Sequence, residues 1–150
     1  MEPTIAVERS VWIDAPRERA WGAVTEPEHL DRWYATYYRW EIPALEVGTA
    51  VKFYNKDDDT DMQLATIEVV DRPRQFTLRW QPDRLYPEMT LVTTFMLEEE
   101  KGGTRVTIIE SGYESLSDDV RQQWVDATSE GYTMSMENLK AYLEGRELPY

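Results

Sequence analysis

The 150-residue chain contains no cysteine and only one histidine, His29. The absence of cysteine excludes disulfide bonds, thiolate chemistry and cysteine-ligated metals. One histidine gives little support to a Ser–His–Asp triad or to a zinc site. His29 lies in a charged stretch, far in sequence from any candidate nucleophile, and we expect it at the surface. The sequence therefore predicts no catalytic residue, no metal site and no cofactor.

The chain also lacks long apolar runs and has few basic residues. No stretch approaches about 18 apolar residues, so we expect no membrane-spanning helix. No basic segment followed by an apolar run is visible at the N-terminus, so we expect no signal peptide and a cytoplasmic location. Sixteen Lys and Arg against 29 Asp and Glu give a formal net charge of −13. That charge argues against binding to nucleic acid or to an anionic membrane surface.

Aromatic residues, by contrast, are abundant. The chain has six Trp, nine Tyr and three Phe, and 41% of its residues are hydrophobic. Aromatic side chains serve cores, pockets and interfaces alike. The length suits one domain, residues 1–150, with room for a core.

The clearest helical period covers residues 117–144 and predicts a long amphipathic helix. Ser117 suits its N-cap, and Gly145 suits the position after its C-terminus. Gly131 inside a helix costs about 1 kcal/mol relative to Ala. It indicates either close backbone contact with a sheet or a gap between helix and sheet. The predicted buried face comprises Val120, Trp124, Ala127, Gly131, Met134, Asn138 and Tyr142, widened by Thr128, Tyr132, Ser135, Leu139 and Leu143.

The remaining chain reads mainly as strands joined by short turns. Residues 4–13 alternate as a first strand, with Arg9 expected at the rim. Two short helices then begin near Pro16 and Pro27. Short connections between strands imply antiparallel neighbours. The order predicts an α+β domain whose curved antiparallel sheet of about seven strands wraps the long helix. The later strands are predicted at residues 37–42, 49–55, 62–70, 74–81, 89–98 and 104–110.

Two acidic features could carry chemistry. The run from Asp57 to Asp61 resembles a loose calcium loop, but it lacks the Gly and the distal Glu of an EF-hand. Glu110 shares the predicted inner face of Val106 and Ile108. An inward glutamate in an apolar cavity would have a raised pKa, and could hydrogen-bond a ligand or act as a general acid or base. Alternatively, strand twist brings Glu110 to solvent, or a basic residue such as Arg9 pairs with it.

A ligand pocket needs mostly aromatic walls and a few polar points. Several large side chains on the predicted inner faces fit that description, although each could equally be plain core. Small residues on the long helix would leave the space. The candidate ligand-binding residues are Trp33, Phe53, Trp80, Phe95, Glu110, Trp124, Gly131 and Ser135.

Several motifs resemble one family in their order and spacing. They are Ala15-Pro16, Trp21, Val24-Thr25-Glu26-Pro27-Glu28-His29-Leu30 with Trp33, residues 69–80 (VVDRPRQFTLRW), Gly103-Thr104-Arg105-Val106-Thr107 through Ser111-Gly112-Tyr113, and Glu130-Gly131-Tyr132 followed by Asn138-Leu139. Together they are similar to the activator of heat-shock-protein-90 ATPase-like domain of the START-like (SRPBCC) superfamily. The resemblance covers nearly the whole chain. It implies a helix-grip, Bet v 1-like fold with a cavity between the sheet and the C-terminal helix.

The chain departs from the family pattern in three respects. Tyr132 stands where many relatives have Trp, and Glu110 stands where many have His, which alters the expected polarity of the pocket. The eukaryotic activator resembles this sequence only through its C-terminal domain. Its chaperone-engaging N-terminal domain has no counterpart in these 150 residues.

The resemblance and the residues leave three functional hypotheses. The first is binding of a small apolar molecule, lipid-like or aromatic, without catalysis. The second is a chaperone cofactor or protein-interaction module of the heat-shock-protein-90 activator type. The third is a cyclase- or hydrolase-like enzyme, which rests on fold analogy alone. A homodimer remains open.

Overall fold

The computed structural model describes residues 5–35 and 37–150. Thr4, where the first strand is predicted to begin, lies outside the described residues. The order of the elements agrees with the prediction. They are β1 (Ala6–Ile13), α1 (Arg17–Thr25), α2 (Pro27–Trp33), β2 (Tyr38–Glu41), β3 (Ala50–Asn55), β4 (Asp58–Asp71), β5 (Gln75–Trp80), β6 (Val92–Glu100), β7 (Gly103–Ser111) and α3 (Asp118–Leu143).

The seven strands form one antiparallel sheet in the order β1-β7-β6-β5-β4-β3-β2. From β2 to β7 consecutive strands are neighbours, as short turns require. β1 completes the sheet beside β7, where Val7 lies opposite Glu110. The register shifts between Ile67 and Val69, and such a bulge increases the local twist and bend of a strand. The sheet curls around α3, which is the helix-grip fold.

The main core lies on the concave face of the sheet. Val106 and Ile108 are fully buried there, and Glu110 shares their face and burial, as strand parity predicts. In β4, strict alternation predicts that Val69 shares the inner face of Ala65 and Ile67, and this prediction is wrong. The bulge places Val70 opposite the fully buried Phe76, and Val70 packs against the core in place of Val69.

The two short helices close one end of the curled sheet. α1 buries Trp21, and α2 buries Leu30 and Trp33. The Trp33 indole nitrogen donates a hydrogen bond to the Ala23 carbonyl at 2.8 Å, which fastens α2 to α1. Burial and this hydrogen bond together fix the position of the Trp33 side chain in the core.

The long helix begins and ends as predicted, but its buried face differs. Ala127, Gly131 and Met134 are exposed, contrary to the prediction. Gly131 borders an open space beside α3, whereas Ala127 and Met134 do not line that space and face solvent. The helix also packs on β1. Within the described chain, the buried residues of α3 are Tyr132, Met136, Asn138, Leu139, Ala141 and Leu143.

Hydrogen bonds and a glycine fix the C-terminal end of α3. The helical period predicts Lys140 on the side of α3 opposite the buried face. In the structure it donates a hydrogen bond to the Trp12 carbonyl of β1 at 2.6 Å and lies over the Trp12 ring. Gly145 follows the helix with φ of +72°, a conformation that glycine adopts without steric cost. No helix in residues 5–35 or 37–150 is long and apolar enough to cross a membrane.

Two predicted strand boundaries shift. Strand β4 begins at Asp58, so most of the acidic run belongs to a β3–β4 hairpin, not to a loop. Asn55 and Asp58 pair across that hairpin. Strand β6 begins at Val92, and Met89 lies in the preceding segment, although it is fully buried.

Candidate functional site

A cavity of about 780 Å³ lies between the concave face of the sheet and the middle of α3, from Trp124 to Ser135. The segment from Gln81 to Leu91, which joins β5 to β6, borders its mouth. This volume falls within the range of about 300–1,000 Å³ typical of small-molecule sites. A second pocket, of about 510 Å³ between Trp12, Lys140 and Glu144, is smaller.

Small side chains on α3 create the space. Thr128, Gly131 and Ser135 face the cavity, each about one helical turn from the next. At Gly131, no described atom lies within 4 Å of the position that a Cβ would occupy. Close backbone packing therefore does not explain this glycine. It stands at an open gap, the second of the two predicted alternatives.

Aromatic rings line the sheet side of the cavity. Phe53 and Trp80 lie 6.1 Å apart between ring centroids in an edge-to-face arrangement. Tyr38 stacks on Phe53 at 4.7 Å, and Tyr34 meets the same ring edge-on at 5.7 Å. Trp40 supports them from the core side, 4.7 Å from Phe53. These contacts hold the rings in defined positions along the cavity wall.

Glu110 forms the polar end of the cavity. It is 7% exposed and accepts hydrogen bonds from three hydroxyl groups. Tyr132 of α3 and Thr93 of β6 donate to its Oε2, the latter at 3.2 Å, and Tyr113 donates to Oε1 at 3.1 Å. The Trp80 indole nitrogen donates to Thr93 Oγ1 at 3.0 Å, so the network continues into the aromatic wall. Glu110 therefore joins the sheet to the helix at the cavity.

Burial sets the protonation behaviour of this network. Desolvation raises the pKa of Glu110, and the three hydroxyl donors oppose that rise only in part. Desolvation also raises the pKa values of Tyr34, Tyr113 and Tyr132, and the nearby Glu110 raises them further. The tyrosines thus stay neutral, and Glu110 is the group that can exchange a proton with a ligand or with water.

The mouth of the cavity is bordered by a structured segment. Tyr86 meets Trp124 of α3 edge-on at 6.2 Å, so ring contacts join the segment to the helix. One Asp83 carboxylate oxygen accepts hydrogen bonds from the backbone nitrogens of Leu85 and Tyr86 at 2.9 and 3.0 Å. Met89 fixes the other end because its side chain is buried. Leu85 is 81% exposed at the opening.

Six of the eight sequence-predicted residues line this cavity: Phe53, Trp80, Glu110, Trp124, Gly131 and Ser135. Trp33 and Phe95 do not. They are fully buried and meet each other edge-on at 6.4 Å beneath the cavity. Sequence parity placed both on inner faces, but it cannot separate the lining of a cavity from the layer below.

Sequence reasoning missed several lining residues. Tyr34 and Tyr38 flank the α2–β2 connection, where no periodic pattern reveals which way a side chain faces. Leu85 and Met89 belong to the irregular segment at the mouth. Tyr132 could have been found, because it adjoins Gly131 and falls on the widened side of the predicted helix face.

Outside the cavity, one group of side chains could approach a single cation. Within the described chain, Glu26, Glu28 and His29 are the residues whose ligand atoms all lie within 4.8 Å of one another. Both glutamates are exposed, and the His29 Nδ1 lies 2.5 Å from the Tyr142 hydroxyl. The Asp57–Asp61 run forms no such group in the described structure. Its Asp61 accepts a hydrogen bond from Tyr38, and Asp58 accepts two from Thr60.

Solved structures share this architecture. A protein from Mesorhizobium loti aligns over 96% of this chain and 100% of its own with a TM-score of 0.79 and 19% identity. The Aha1 dimer from Colwellia psychrerythraea aligns with a TM-score of 0.70 and 16% identity, over 93% of this chain and 96% of its own. DynU16, described as a putative protein in the dynemicin biosynthetic locus, aligns with a TM-score of 0.72 and 21% identity, over 99% of this chain but 51% of its own. At these identities the likeness establishes the fold alone.

A comparison of the sequence with families of proteins is more specific. No curated protein matches the chain significantly. The family model described as activator of Hsp90 ATPase homolog 1-like protein, however, matches residues 14–144, which include all three helices and strands β2 to β7 but not β1. That span contains every residue named above at the cavity, and the curled sheet around a C-terminal helix is the fold the motifs implied. The chain therefore belongs to the family of activator of Hsp90 ATPase homolog 1-like proteins.

Proposed function

We propose that the protein binds a small, largely apolar molecule between the sheet and α3, without itself catalysing a reaction. The observation that carries this proposal is the cavity of about 780 Å³, with aromatic walls and one buried polar end at Glu110. Burying about 200 Å² of a bicyclic ligand would contribute roughly 5 kcal/mol, before the cost of association. By itself this term corresponds to a dissociation constant of about 0.2 mM, so we expect the probe to bind no tighter than the upper micromolar range.

Blocking the space tests the proposal. The probe is 2-naphthylmethanol, a neutral bicyclic alcohol, and binding is followed by calorimetry and by tryptophan fluorescence. Gly131→Leu places a side chain into the gap and should abolish binding, because no described atom surrounds that position to deflect it. Ser135→Leu places a side chain in the same cavity one helical turn further along α3, and it should also abolish binding. Circular dichroism should show an unchanged fold in both variants.

The matched control is Ala127→Leu. Ala127 lies on the same helix but is exposed and does not line the cavity. It adds similar bulk, yet binding should persist. If the probe binds both blocked variants as tightly as the unmodified protein, the ligand is not held in this cavity. If it binds none of the proteins, the proposed function is wrong for molecules of this class.

A second candidate function follows from the family. We infer that the chain could act on a chaperone, because the matching family is described as activator of Hsp90 ATPase homolog 1-like. The test is the ATPase rate of purified heat-shock protein 90 from the same host, with and without this protein. A rate increase that survives Gly131→Leu would assign the effect to the surface. An unchanged rate would remove this candidate.

Self-association and location belong to the same proposal. One solved structure of this fold is described as an Aha1 dimer. Sedimentation velocity over a range of concentrations would show whether this chain also forms a homodimer. We also propose that the protein works in the cytoplasm, which fractionation of host cells would test.

A further inference from the structure

Glu110 has an unusual set of partners for a buried carboxylate. Its three hydrogen-bond donors, on Thr93, Tyr113 and Tyr132, are all neutral hydroxyls. No ion pair within the described residues includes it. A carboxylate offers roughly four acceptor positions, so three donors leave about one free. Buried carboxylates are normally paired with a cation, and residues 5–35 and 37–150 place none within hydrogen-bonding distance of Glu110.

The rest of the cavity also favours positive charge. Its lining carries three carboxyl groups, on Asp61, Asp83 and Glu110, against one cation, Arg84. Trp80 and Trp124 line the cavity, and an aromatic ring attracts a cation that approaches its face. The whole chain carries a formal charge of −13, which raises the local concentration of cations and lowers that of anions. The charges and the aromatic rings of the cavity therefore both favour a positively charged ligand.

From these observations we propose that the ligand is an organic cation, with an apolar ring between the sheet and α3 and a protonated amine against Glu110. This inference rests on the proposed ligand-binding function and names the chemical class of the ligand. The ammonium supplies the charge partner that Glu110 lacks. The ring occupies the space beside Gly131, between Trp80 and Trp124.

Binding of an amine beside Glu110 should be coupled to the release of a proton, which can be measured. Burial raises the pKa of Glu110 in the empty cavity, whereas an ammonium nearby lowers it. Binding of the amine therefore releases a proton wherever Glu110 is protonated beforehand. The affinity rises with pH until the empty site is ionised. The titratable groups that face Glu110 are Tyr34, Tyr113 and Tyr132, whose raised pKa values keep them neutral over this range.

Three probes of one shape test the class of ligand: 2-naphthylmethylamine, 2-naphthylmethanol and 2-naphthoate. Calorimetry at pH 7 should show the cation binding about tenfold more tightly than the alcohol, and the anion most weakly. Titrations of the amine in two buffers of different ionisation enthalpy should reveal proton release. Neither measurement requires a variant, so both remain valid if substitutions at Glu110 impair folding.

Two substitutions then locate the selectivity. Glu110→Gln keeps the shape and the acceptor oxygen but removes the charge, so amine and alcohol should bind within about twofold of each other. Glu98→Gln removes one charge from an exposed position of β6 that does not line the cavity. It should leave the preference intact.

The outcomes separate this inference from the function on which it rests. If the alcohol binds as tightly as the amine in the unmodified protein, the cavity binds ligands but does not select cations, and the inference is wrong. The same holds if the preference survives Glu110→Gln, or if 2-naphthoate binds best, which would indicate a protonated Glu110 that donates to a carboxylate. Binding of none of the three would overturn the proposed function as well.

Discussion

Tyr132 of α3 donates a hydrogen bond to Glu110 of β7, and this contact joins the long helix to the sheet at the polar end of the cavity. The two residues are 22 positions apart in sequence and both are buried. At the two positions where the family resemblance implies Trp and His in many relatives, this chain has Tyr and Glu. The pair thus replaces an indole and an imidazole by a hydroxyl donor and a carboxylate acceptor.

Tyr132→Phe should destabilise the protein by about 1–3 kcal/mol, because a buried carboxylate loses one of its donors. Thr93 and Tyr113 remain, so the fold should survive. Urea unfolding at pH 7 measures the loss. Tyr37→Phe is the matched control, since Tyr37 is 70% exposed, and it should change the stability by less than about 0.5 kcal/mol. Equal effects at the two positions would contradict a stabilising role for the Tyr132–Glu110 bond.

The pH dependence of stability should identify Glu110 as a proton-binding group. Its folded pKa is raised above the ordinary 4.5, so between these two values the folded state holds a proton that the unfolded state has lost. Stability from this group is therefore present below pH 4.5 and is lost as pH rises through the folded pKa. Glu110→Gln cannot lose that proton. The stability of the variant relative to the unmodified protein should increase as pH rises from 4 to about 8. A constant difference in unfolding free energy over that range would argue against the raised pKa.

Phe95 and Phe53 should respond differently to truncation. Phe95 is fully buried below the cavity, and Phe95→Ala should cost about 3–5 kcal/mol of stability. Phe53 lies at the cavity wall and is only partly buried, so Phe53→Ala should cost less than half as much but weaken binding of 2-naphthylmethylamine. Chemical denaturation and calorimetry on the same samples separate the two effects. A greater loss of stability at Phe53 would contradict this division between core and wall.

The contrast between these two phenylalanines shows how much of the site can be predicted from the sequence. Alternation placed Phe53, Phe95 and Glu110 on inner faces, and the structure agrees. Helical period located α3 to within about one residue at each end. Both patterns describe one element at a time. They report which way a side chain faces, but not the distance to the element opposite.

What the sequence could not predict depends on that distance. The face of α3 was misjudged because Ala127 and Met134 fit an apolar stripe, yet both are exposed and neither lines the cavity. In β4, one bulge reversed the parity beyond Ile67. The segment that borders the mouth has no period at all. Cavity lining arises from such irregular places, so only part of the site was visible in the sequence.

Glu144 should stabilise the C-terminal end of α3 through its charge. Its carboxylate accepts hydrogen bonds from the Asp14 backbone nitrogen at 3.0 Å, from Lys140 at 2.9 Å and from Arg146 at 2.8 Å. These bonds, led by that to Asp14, lower the pKa of Glu144 to about 2. The stabilisation is present above the ordinary pKa of 4.5 and is lost as pH falls through about 2.

Glu144→Gln should therefore reduce stability by about 1 kcal/mol at pH 7, a magnitude typical of a solvent-screened network. The difference from the unmodified protein should shrink between pH 4.5 and about 2. Thermal unfolding across this range is the measurement. Glu147→Gln removes the same charge from an exposed position nearby and serves as the control. An effect of Glu144→Gln that does not vary with pH would show that its charge is not what stabilises the helix end.

Gly131→Ala should stabilise the protein by about 1 kcal/mol, because alanine is the better helix former and the added methyl group enters empty space. Gly112→Ala is the matched contrast. Gly112 has φ of +116°, and a Cβ there would lie 2.2 Å from the Thr90 carbonyl oxygen, so this variant should be strongly destabilised. Urea unfolding compares the two. If Gly131→Ala is more stable than the unmodified protein, glycine lowers the stability of α3 at this position. What it provides instead is the open space beside the aromatic wall. A loss of stability at Gly131 would instead indicate a contact on that side of α3, and the cavity would not extend to this residue.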